Sequence, residues 1–567
     1  MSISFDDKSQ NKRVDELRKQ EEEGLVEMLA TEKYNIPYIN LAGVVIENEA
    51  LRAFDEKDAH DMEVAPFKLA GNNLHIALHS PAHTDVALLT ANLIKKGYVP
   101  HIYMASIASL TKVWERYREL SNTTVSREGG IDITGDTLLA LGTQIKTIDD
   151  IRKIIEQIIS DGSQKKTSRM LEIILAGAIS IDASDIHIEP EHERIRLRYR
   201  LDGVLQDVAF FDEAKFRMID SRIKLISGLK LTQTDQAQDG RFSIFISGDE
   251  IGIRTSIIPS AYGEGIVMRL LNPKATKVKF EDLGIEPKLF KILDHEIKKP
   301  NGLMLITGPT GSGKTTTLYS FLRRIYDPEL KILTIEDPIE YHLAGITQTQ
   351  TEIDKGYGFP EGLRAALRQD PDVIMVGEIR DKDTATIAIN AALTGHLVFS
   401  TLHTNNAAGV IPRLIDLGIN PKILTSALTI SVAQRLIRKV CKYCATDRDA
   451  NENEKNIFSA IITQAIAEGK DMASYNVSAD MDMKVKQAVG CEKCSGTGYK
   501  GRIGVFEAIL TDQSIEDIVN KNPSEREIKK ASETQHILDM KEDAVVKILN
   551  GVTTYEEAVE VVDFDED

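Results

Sequence analysis

The sequence runs to 567 residues, too many for one hydrophobic core, so three or four domains are expected. Hydrophobic residues make up 42% and charged residues 28%, the balance of an ordinary globular protein, and a net charge of -18 argues against general nucleic-acid binding. No apolar run reaches the roughly 18 residues of a membrane-spanning helix, and the acidic start Met1-Ser2-Ile3-Ser4-Phe5-Asp6-Asp7-Lys8 lacks the basic and apolar segments of a secretory signal. A cytoplasmic protein is expected, docked on a membrane only through partners.

Residues 10–33 are charged and helix-forming and read as a solvated helix face. Short apolar runs such as Leu74-His75-Ile76-Ala77-Leu78 then alternate with helical stretches such as 84–96, as in a small α/β domain. The polar, glycine-bearing stretch around 121–130 has no apolar period and reads as a linker. Helical spacing returns at 148–159 and 168–179, followed by alternating strands at 184–190 and 194–201, the second closed by Asp202-Gly203. Period-2 spacing puts Arg194, Arg196, Arg198 and Arg200 on one strand face. Spacing favours a solvated outer sheet face; the alternative is a basic surface turned towards a phosphate or a neighbouring subunit. From about 273, strands at 303–307, 331–335, 373–376 and 396–400 alternate with helices, the pattern of a parallel α/β core. Residues 446–484 are polar and acidic and read as a variable surface insertion. The tail Asp563-Phe564-Asp565-Glu566-Asp567 reads as frayed.

The strand at 303–307 runs into Gly308-Pro309-Thr310-Gly311-Ser312-Gly313-Lys314-Thr315 and then a helix opened by Thr316. Strand, glycine-rich loop and helix form the setting of a phosphate loop. Glycines let successive backbone N–H groups close round phosphate oxygens, and the helix N-terminus adds positive potential. Lys314 supplies a point charge to the β- and γ-phosphates, and the Thr315 hydroxyl can join a Mg²⁺ shell. Hydrolysis also needs carboxylates to hold the metal and to orient or deprotonate water. Two sets follow strands: Glu336-Asp337-Pro338-Ile339-Glu340 and Gly377-Glu378-Ile379-Arg380-Asp381. The second is Walker-B-like, with Gly377 where many such motifs carry Asp. His396 and His403 flank the last strand, and spacing does not decide which reaches a phosphate. Cys441-Lys442-Tyr443-Cys444 and Cys491-Glu492-Lys493-Cys494 are two Cys-x₂-Cys knuckles, a donor set suited to tetrahedral, structural Zn²⁺.

Together these residues resemble the secretion ATPases of type IV pilus and type II secretion systems, the PilB/GspE group. The resemblance is strong over about 147–510 and loose in the N-terminal part. Four blocks carry it: the phosphate loop; Ile332 to Tyr341, the family's aspartate box; Leu367-Arg368-Gln369-Asp370-Pro371-Asp372 running on to Asp381, its atypical Walker B; and Thr394 to Asn405, its histidine box. The resemblance implies an N-terminal α/β docking domain over 1–120, a linker over 121–146 and a PAS-like α+β domain over 147–272. A RecA-like ATPase domain would follow over 273–567, carrying the zinc-binding element 441–494 and a helical C-terminal region. It implies a homohexamer with ATP and Mg²⁺ between subunits, driving pilin assembly through an inner-membrane platform protein. The alternatives are a type II secretion ATPase and, from another class, a RecA-like nucleic-acid translocase. By resemblance Glu340 is the water-activating base, with Glu336 as the other candidate. Glu378 belongs to the metal and water network, and His403 senses the γ-phosphate. Arg241 and Arg254 are offered to nucleotide at the subunit interface. Gly265 stands where the family often has Arg, and the repeat that binds cyclic di-GMP in some relatives is not found, so that ligand is not expected.

Overall fold

The computed structural model describes residues 22–41, 44, 46–51, 53–54, 56–70, 72–82, 86–95, 98–117, 145–160, 165–246, 249–271 and 278–564. Most of the expected linker, the first 21 residues and the last three lie outside them. The chain divides into two compact units, residues 1–132 and 133–567.

In the first unit, strands β1 (Val64–Ala70), β2 (Asn73–Leu78) and β3 (Val99–Met104) form a mixed sheet, β1–β2 antiparallel and β2–β3 parallel. Trp114, on the helix Ile107–Glu115, donates its indole N–H to the Val64 carbonyl at 2.9 Å. The segment expected as a solvated helix is helical over 22–28 and continues into a π-helical turn Leu29–Tyr34. It is not wholly solvated: Val26 and Ala30 are buried in the unit's core. Its Glu22 carboxylate accepts the Ile107 N–H at 2.9 Å, satisfying an orphan donor at a helix start.

The second unit holds two large sheets. The first is antiparallel, built from β4 (Asp185–Pro190), β5 (Ile195–Leu201), β6 (Val204–Phe211), β7 (Gln238–Ile246), β8 (Asp249–Ser260) and β9 (Gly263–Leu271) in the order β6-β5-β4-β9-β8-β7. Strand β5 alternates buried and half-buried residues along its length, as the sequence period requires. Its Tyr199 hydroxyl donates to the Ile174 carbonyl at 2.7 Å, fixing the helix Lys165–Ser180 on the buried face. The arginines of β5 lie on the other face and pair with neighbouring carboxylates: Arg196 with Asp207 at 2.7 Å, Arg198 with Glu189 at 2.6 Å and Arg200 with Asp185 at 3.2 Å. These pairs leave the three guanidiniums half-buried on that face.

The second sheet contains β10 (Gly302–Thr307), β11 (Ile332–Glu336), β12 (Thr347–Gln350), β13 (Val373–Val376), β14 (Leu397–Leu402), β15 (Leu428–Val440) and β18 (Tyr499–Leu510), in the order β12-β11-β13-β14-β10-β15-β18. Strands β12 to β15 in that row are parallel, and only β18 is antiparallel to its neighbour. Every residue of β10, β11, β13 and β14 is buried, as expected of strands covered on both faces. This is a RecA-like P-loop core, with one strand, β14, between the phosphate-loop strand β10 and β13.

Between β15 and β18 the chain leaves along β16 (Thr446–Asp449) and returns along β17 (Lys484–Gln487), two antiparallel strands. The stretch between them corrects the expectation of a polar surface insertion. Phe458 and Ile462, on the helix Glu452–Ala467, pack with Met472, Val485 and Val545 in a core of their own. Charged groups are drawn inward too: Lys470 contacts both oxygens of Glu542 at 2.8 Å, with both residues buried. The polar composition hides this core because its apolar residues are spread over three separated segments. The tail is likewise anchored as far as Phe564, whose ring lies 5.5 Å from that of Tyr555.

Candidate active site

The C-terminal ends of β10, β11, β13 and β14 open into a cleft of about 500 Å³, large enough for a nucleotide. The phosphate loop forms its floor. Gly308 and Gly313 adopt φ of 143° and 91°, conformations that an L side chain resists. A Cβ on Gly308 would stand 2.4 Å from the Gln434 carbonyl oxygen, so the loop is pressed against β15. Gln434 also accepts from the Thr317 hydroxyl at 2.8 Å, tying the following helix Lys314–Ile325 to the same strand. Thr310, Gly311, Gly313, Lys314, Thr315 and Thr316 all line the cleft. Lys314 folds back onto its own loop, donating to the carbonyls of Gly308 at 2.8 Å and Pro309 at 3.0 Å. Burial lowers its pKa below the usual lysine value, opposed by the negative charge of Glu378.

The carboxylates separate into distinct environments. Glu378 faces Lys314 across the cleft and pairs with His403, Nε2 to Oε2 at 3.1 Å, and with Arg380. Arg380 also stands 3.6 Å from Asp337. Glu336 is buried, and its oxygens accept from Tyr319, from Thr334 at 2.5 Å and from Gln348 at 3.0 Å. Glu340 opens into the cleft and pairs with Arg254 at 3.1 Å, while Arg254 also donates to the Ile339 carbonyl at 2.6 Å.

The two histidines occupy opposite ends of β14. His403 lies at the cleft, whereas His396 contacts the Ala391 carbonyl at 3.0 Å at the end of the helix Lys382–Leu393. Several motif positions are structural. Asp381 caps that helix by accepting the Thr384 N–H at 2.8 Å, and Asp372 accepts the Lys331 N–H at 2.7 Å. Gly377 sits against β11: a Cβ there would lie 3.3 Å from the Ile335 carbonyl and 3.4 Å from the Phe359 ring. The β11 backbone and the Phe359 ring crowd the space an aspartate side chain would need.

The arginines follow sheet register. Arg241 pairs across the strands with Arg254, Arg254 with Arg269, Arg269 with Asp185, and Asp185 with Arg200, which makes one charged row on the outer face. Arg269 lines the cleft, held by Asp185 at 3.0 Å. Arg254 touches the cleft through Glu340, and Arg241 is exposed beyond the cleft wall. Gly265 lies opposite Ile258, four residues from Arg269 and outside the cleft lining. Sequence reasoning missed Arg269, Tyr319, Arg323 and Arg502, which all line the cleft. Only the cross-strand pairing with Arg254 would have identified Arg269.

The β16–β17 ribbon brings the cysteine pairs together. The four Sγ atoms lie within 4.8 Å of one another, with Cys441–Cys491 and Cys444–Cys494 at 3.8 Å and Cys491–Cys494 at 3.7 Å. Thiolates on one tetrahedral zinc, at about 2.3 Å each, stand about 3.8 Å apart. The N–H groups of Cys491 and Gly498 point at Cys494 Sγ at 3.1 and 3.3 Å, the donors a bound thiolate uses. The donor set fits zinc.

A phosphate loop at the head of a parallel sheet, with a histidine-paired glutamate across from its lysine, defines a P-loop nucleotide-binding protein. The family model described as type II/IV secretion system protein matches residues 161–560. The chain is 41% identical over 424 residues to the type II secretion system protein E of Pseudomonas aeruginosa, covering 75% of this chain and 80% of that protein. It is 33% identical over 544 residues to the type IV pilus assembly ATPase PilB of Myxococcus xanthus, covering 95% and 91%. Among solved structures, the pilus retraction motor PilT with bound ADP is 25% identical, covers 70% of this chain and 97% of that one, and superposes with a TM-score of 0.45. The chain belongs to the type II/IV secretion system protein family. No helix among the described residues is long and apolar enough to cross a membrane.

Proposed function

We propose that this chain is the motor ATPase of a type IV pilus assembly machine, working as a homohexamer docked at the inner face of the cell membrane through partners. The observation that carries pilus assembly is the span of the match to PilB, which takes in 95% of this chain, against 75% for the type II secretion protein of Pseudomonas. The higher identity of the latter, 41% against 33%, favours the second reading, a type II secretion ATPase. The net charge of -18 weighs against a nucleic-acid translocase.

In this reading the phosphate loop cradles the triphosphate with its backbone N–H groups, and Lys314 exchanges its loop carbonyls for phosphate oxygens. Thr315 and Glu378 would hold Mg²⁺, which supplies charge neutralisation between phosphates when bound. His403, paired with Glu378, is placed to sense the γ-phosphate. Glu340, with one oxygen on Arg254 and the other facing the cleft, is the water-activating base. Glu336, with its lone pairs taken by three donors, orients the loop around it. Arg269 is the arginine that meets nucleotide in the same chain. Arg254, which holds Glu340 of its own chain, and Arg241, further along the row, are the arginines offered to nucleotide at the subunit interface. Zn²⁺ on the four cysteines would be structural, fixing the start of β18. In this reading the N-terminal α/β domain, 1–120, holds the docking partner, and the PAS-like domain, 147–272, and the RecA-like domain, 273–567, build the hexamer that drives an inner-membrane platform protein.

Deletion of the gene, scored separately for surface pili and for secreted proteins, tests the assignment. Loss of pili with intact secretion is expected. Intact pili with lost secretion would transfer the chain to the second reading.

A further inference from the structure

One group in the cleft is left unused by this chemistry. Arg323 sits on the helix that the phosphate loop opens, in line with Thr316 and Tyr319 along one face, and all three line the cleft. Seven residues separate Thr316 from Arg323, about 10 Å of helix rise. The cleft therefore runs well past the phosphate loop, down the side of the helix. Tyr341, its ring centroid 6.5 Å from that of Tyr319, and Arg269 line the same cleft. The Arg323 guanidinium donates from Nε to the Tyr319 carbonyl at 3.3 Å, but its Nη2 is buried and has no hydrogen-bond partner among the described residues. Burial pushes this guanidinium below its ordinary pKa, with no carboxylate to compensate. A buried donor on a charged group is normally satisfied, and one that is not marks a missing acceptor.

The phosphates are held at the helix N-terminus, so the acceptor that arrives two turns further along belongs to the other end of the ligand. We infer that Arg323 is a specificity residue that donates Nη2 to the nucleoside half of ATP, to a ring nitrogen of the base or a hydroxyl of the ribose. The inference rests on the ATPase reading. Adenine presents only acceptors at its ring nitrogens, and ribose hydroxyls accept equally well. The Tyr341 ring, beside that of Tyr319, gives the base an apolar surface to lie against.

The test uses the full-length protein and the variants Arg323→Met and Arg323→Lys. The Michaelis constant for ATP is measured beside the inhibition constant of inorganic tripolyphosphate, which has the phosphates and no nucleoside. Loss of one charge-assisted bond should raise the KM for ATP roughly ten-fold with kcat little changed, while tripolyphosphate inhibits as before. Arg323→Lys, which keeps the charge without the fork, should fall between and also reads the effect should the methionine variant fold poorly. With 2′-deoxy-ATP as substrate, a KM penalty that vanishes assigns the bond to the 2′-hydroxyl; one that persists there but vanishes with 3′-deoxy-ATP assigns it to the 3′-hydroxyl, and one that persists with both assigns it to the base. An unchanged KM for ATP, or a parallel loss of tripolyphosphate inhibition, would overturn the inference. Absence of turnover in the wild-type protein would instead sink the ATPase reading itself.

Discussion

Arg254 grips Glu340 and the backbone beside it at once, Nη1 to Oε1 at 3.1 Å and Nη2 to the Ile339 carbonyl at 2.6 Å. The contact joins β8 of the antiparallel sheet to the loop that follows β11 of the parallel one. A movement of one sheet against the other must therefore move the carboxylate assigned to activate water. An ammonium cannot span both acceptors as a guanidinium does. Arg254→Lys is expected to behave like Arg254→Ala, with kcat reduced about ten-fold or more. Steady-state ATP turnover checks this, and a wild-type rate in the lysine variant would show that the two-point grip has no part in turnover.

Glu340 and Glu336 can be told apart by the same assay. Glu340→Gln removes a base that faces the cleft and should lower kcat by about 10²–10⁴ while ATP binding is retained. Glu336→Gln keeps one carbonyl oxygen, which can still accept either from Tyr319 or from Thr334 and Gln348. Its effect should be smaller, and it should appear as lost thermal stability as well as lost rate. A reversed order of the two would exchange their roles.

Gly377 is predicted to resist restoration of the usual aspartate. Its Cβ position is crowded by the Ile335 carbonyl at 3.3 Å and the Phe359 ring at 3.4 Å. Gly377→Asp should destabilise the protein by about 1–3 kcal/mol through overpacking, read as a drop in melting temperature, and should bring no gain in turnover.

The helix Glu452–Ala467 carries a pH-sensitive clasp. Glu454 accepts from Arg448 at 2.6 and 2.7 Å and from the Asn451 N–H at 2.8 Å. The hydrogen bonds from Arg448 hold its carboxyl below the usual glutamate value despite the opposing effect of burial, and Arg448 is raised in turn by Glu454. A carboxyl depressed in the folded state contributes stability that is present above the ordinary glutamate value and lost as the pH falls through the folded one. Glu454→Ala should cost about 2 kcal/mol near neutral pH, and the difference from wild type should shrink in acid. Hydrogen exchange of this helix is the direct readout.

The cysteine cluster predicts about one zinc ion per purified chain by metal analysis, falling well below that in Cys491→Ser. The variant should also melt lower, because the cluster clamps the end of the β15–β18 pairing, just beyond Val440 opposite Tyr499, where the Cys441 N–H donates to the Gly498 carbonyl at 2.9 Å. Full stability without metal would remove the structural role.

The phosphate loop, the four strands round it and the cysteine knuckles were legible because each is encoded locally, by a residue type at a short fixed spacing. The arginine row was not. Arg254 and Arg269 are neighbours only through the register of β8 on β9, and nothing in either segment records that pairing. The burial of Glu336 was equally hidden, since its partners Tyr319 and Gln348 lie on other elements. The core of residues 446–484 escaped notice because Val545, on the distant helix Met540–Leu549, completes it.

The central claim is that this cleft hydrolyses ATP with Glu378 and Lys314 facing each other across it. Phosphate release from ATP by the purified full-length protein, compared with Lys314→Ala and Glu378→Ala, tests it most directly. The account predicts turnover in the wild type, loss of nucleotide binding and turnover in Lys314→Ala, and loss of turnover in Glu378→Ala. Wild-type rates in either variant would contradict it.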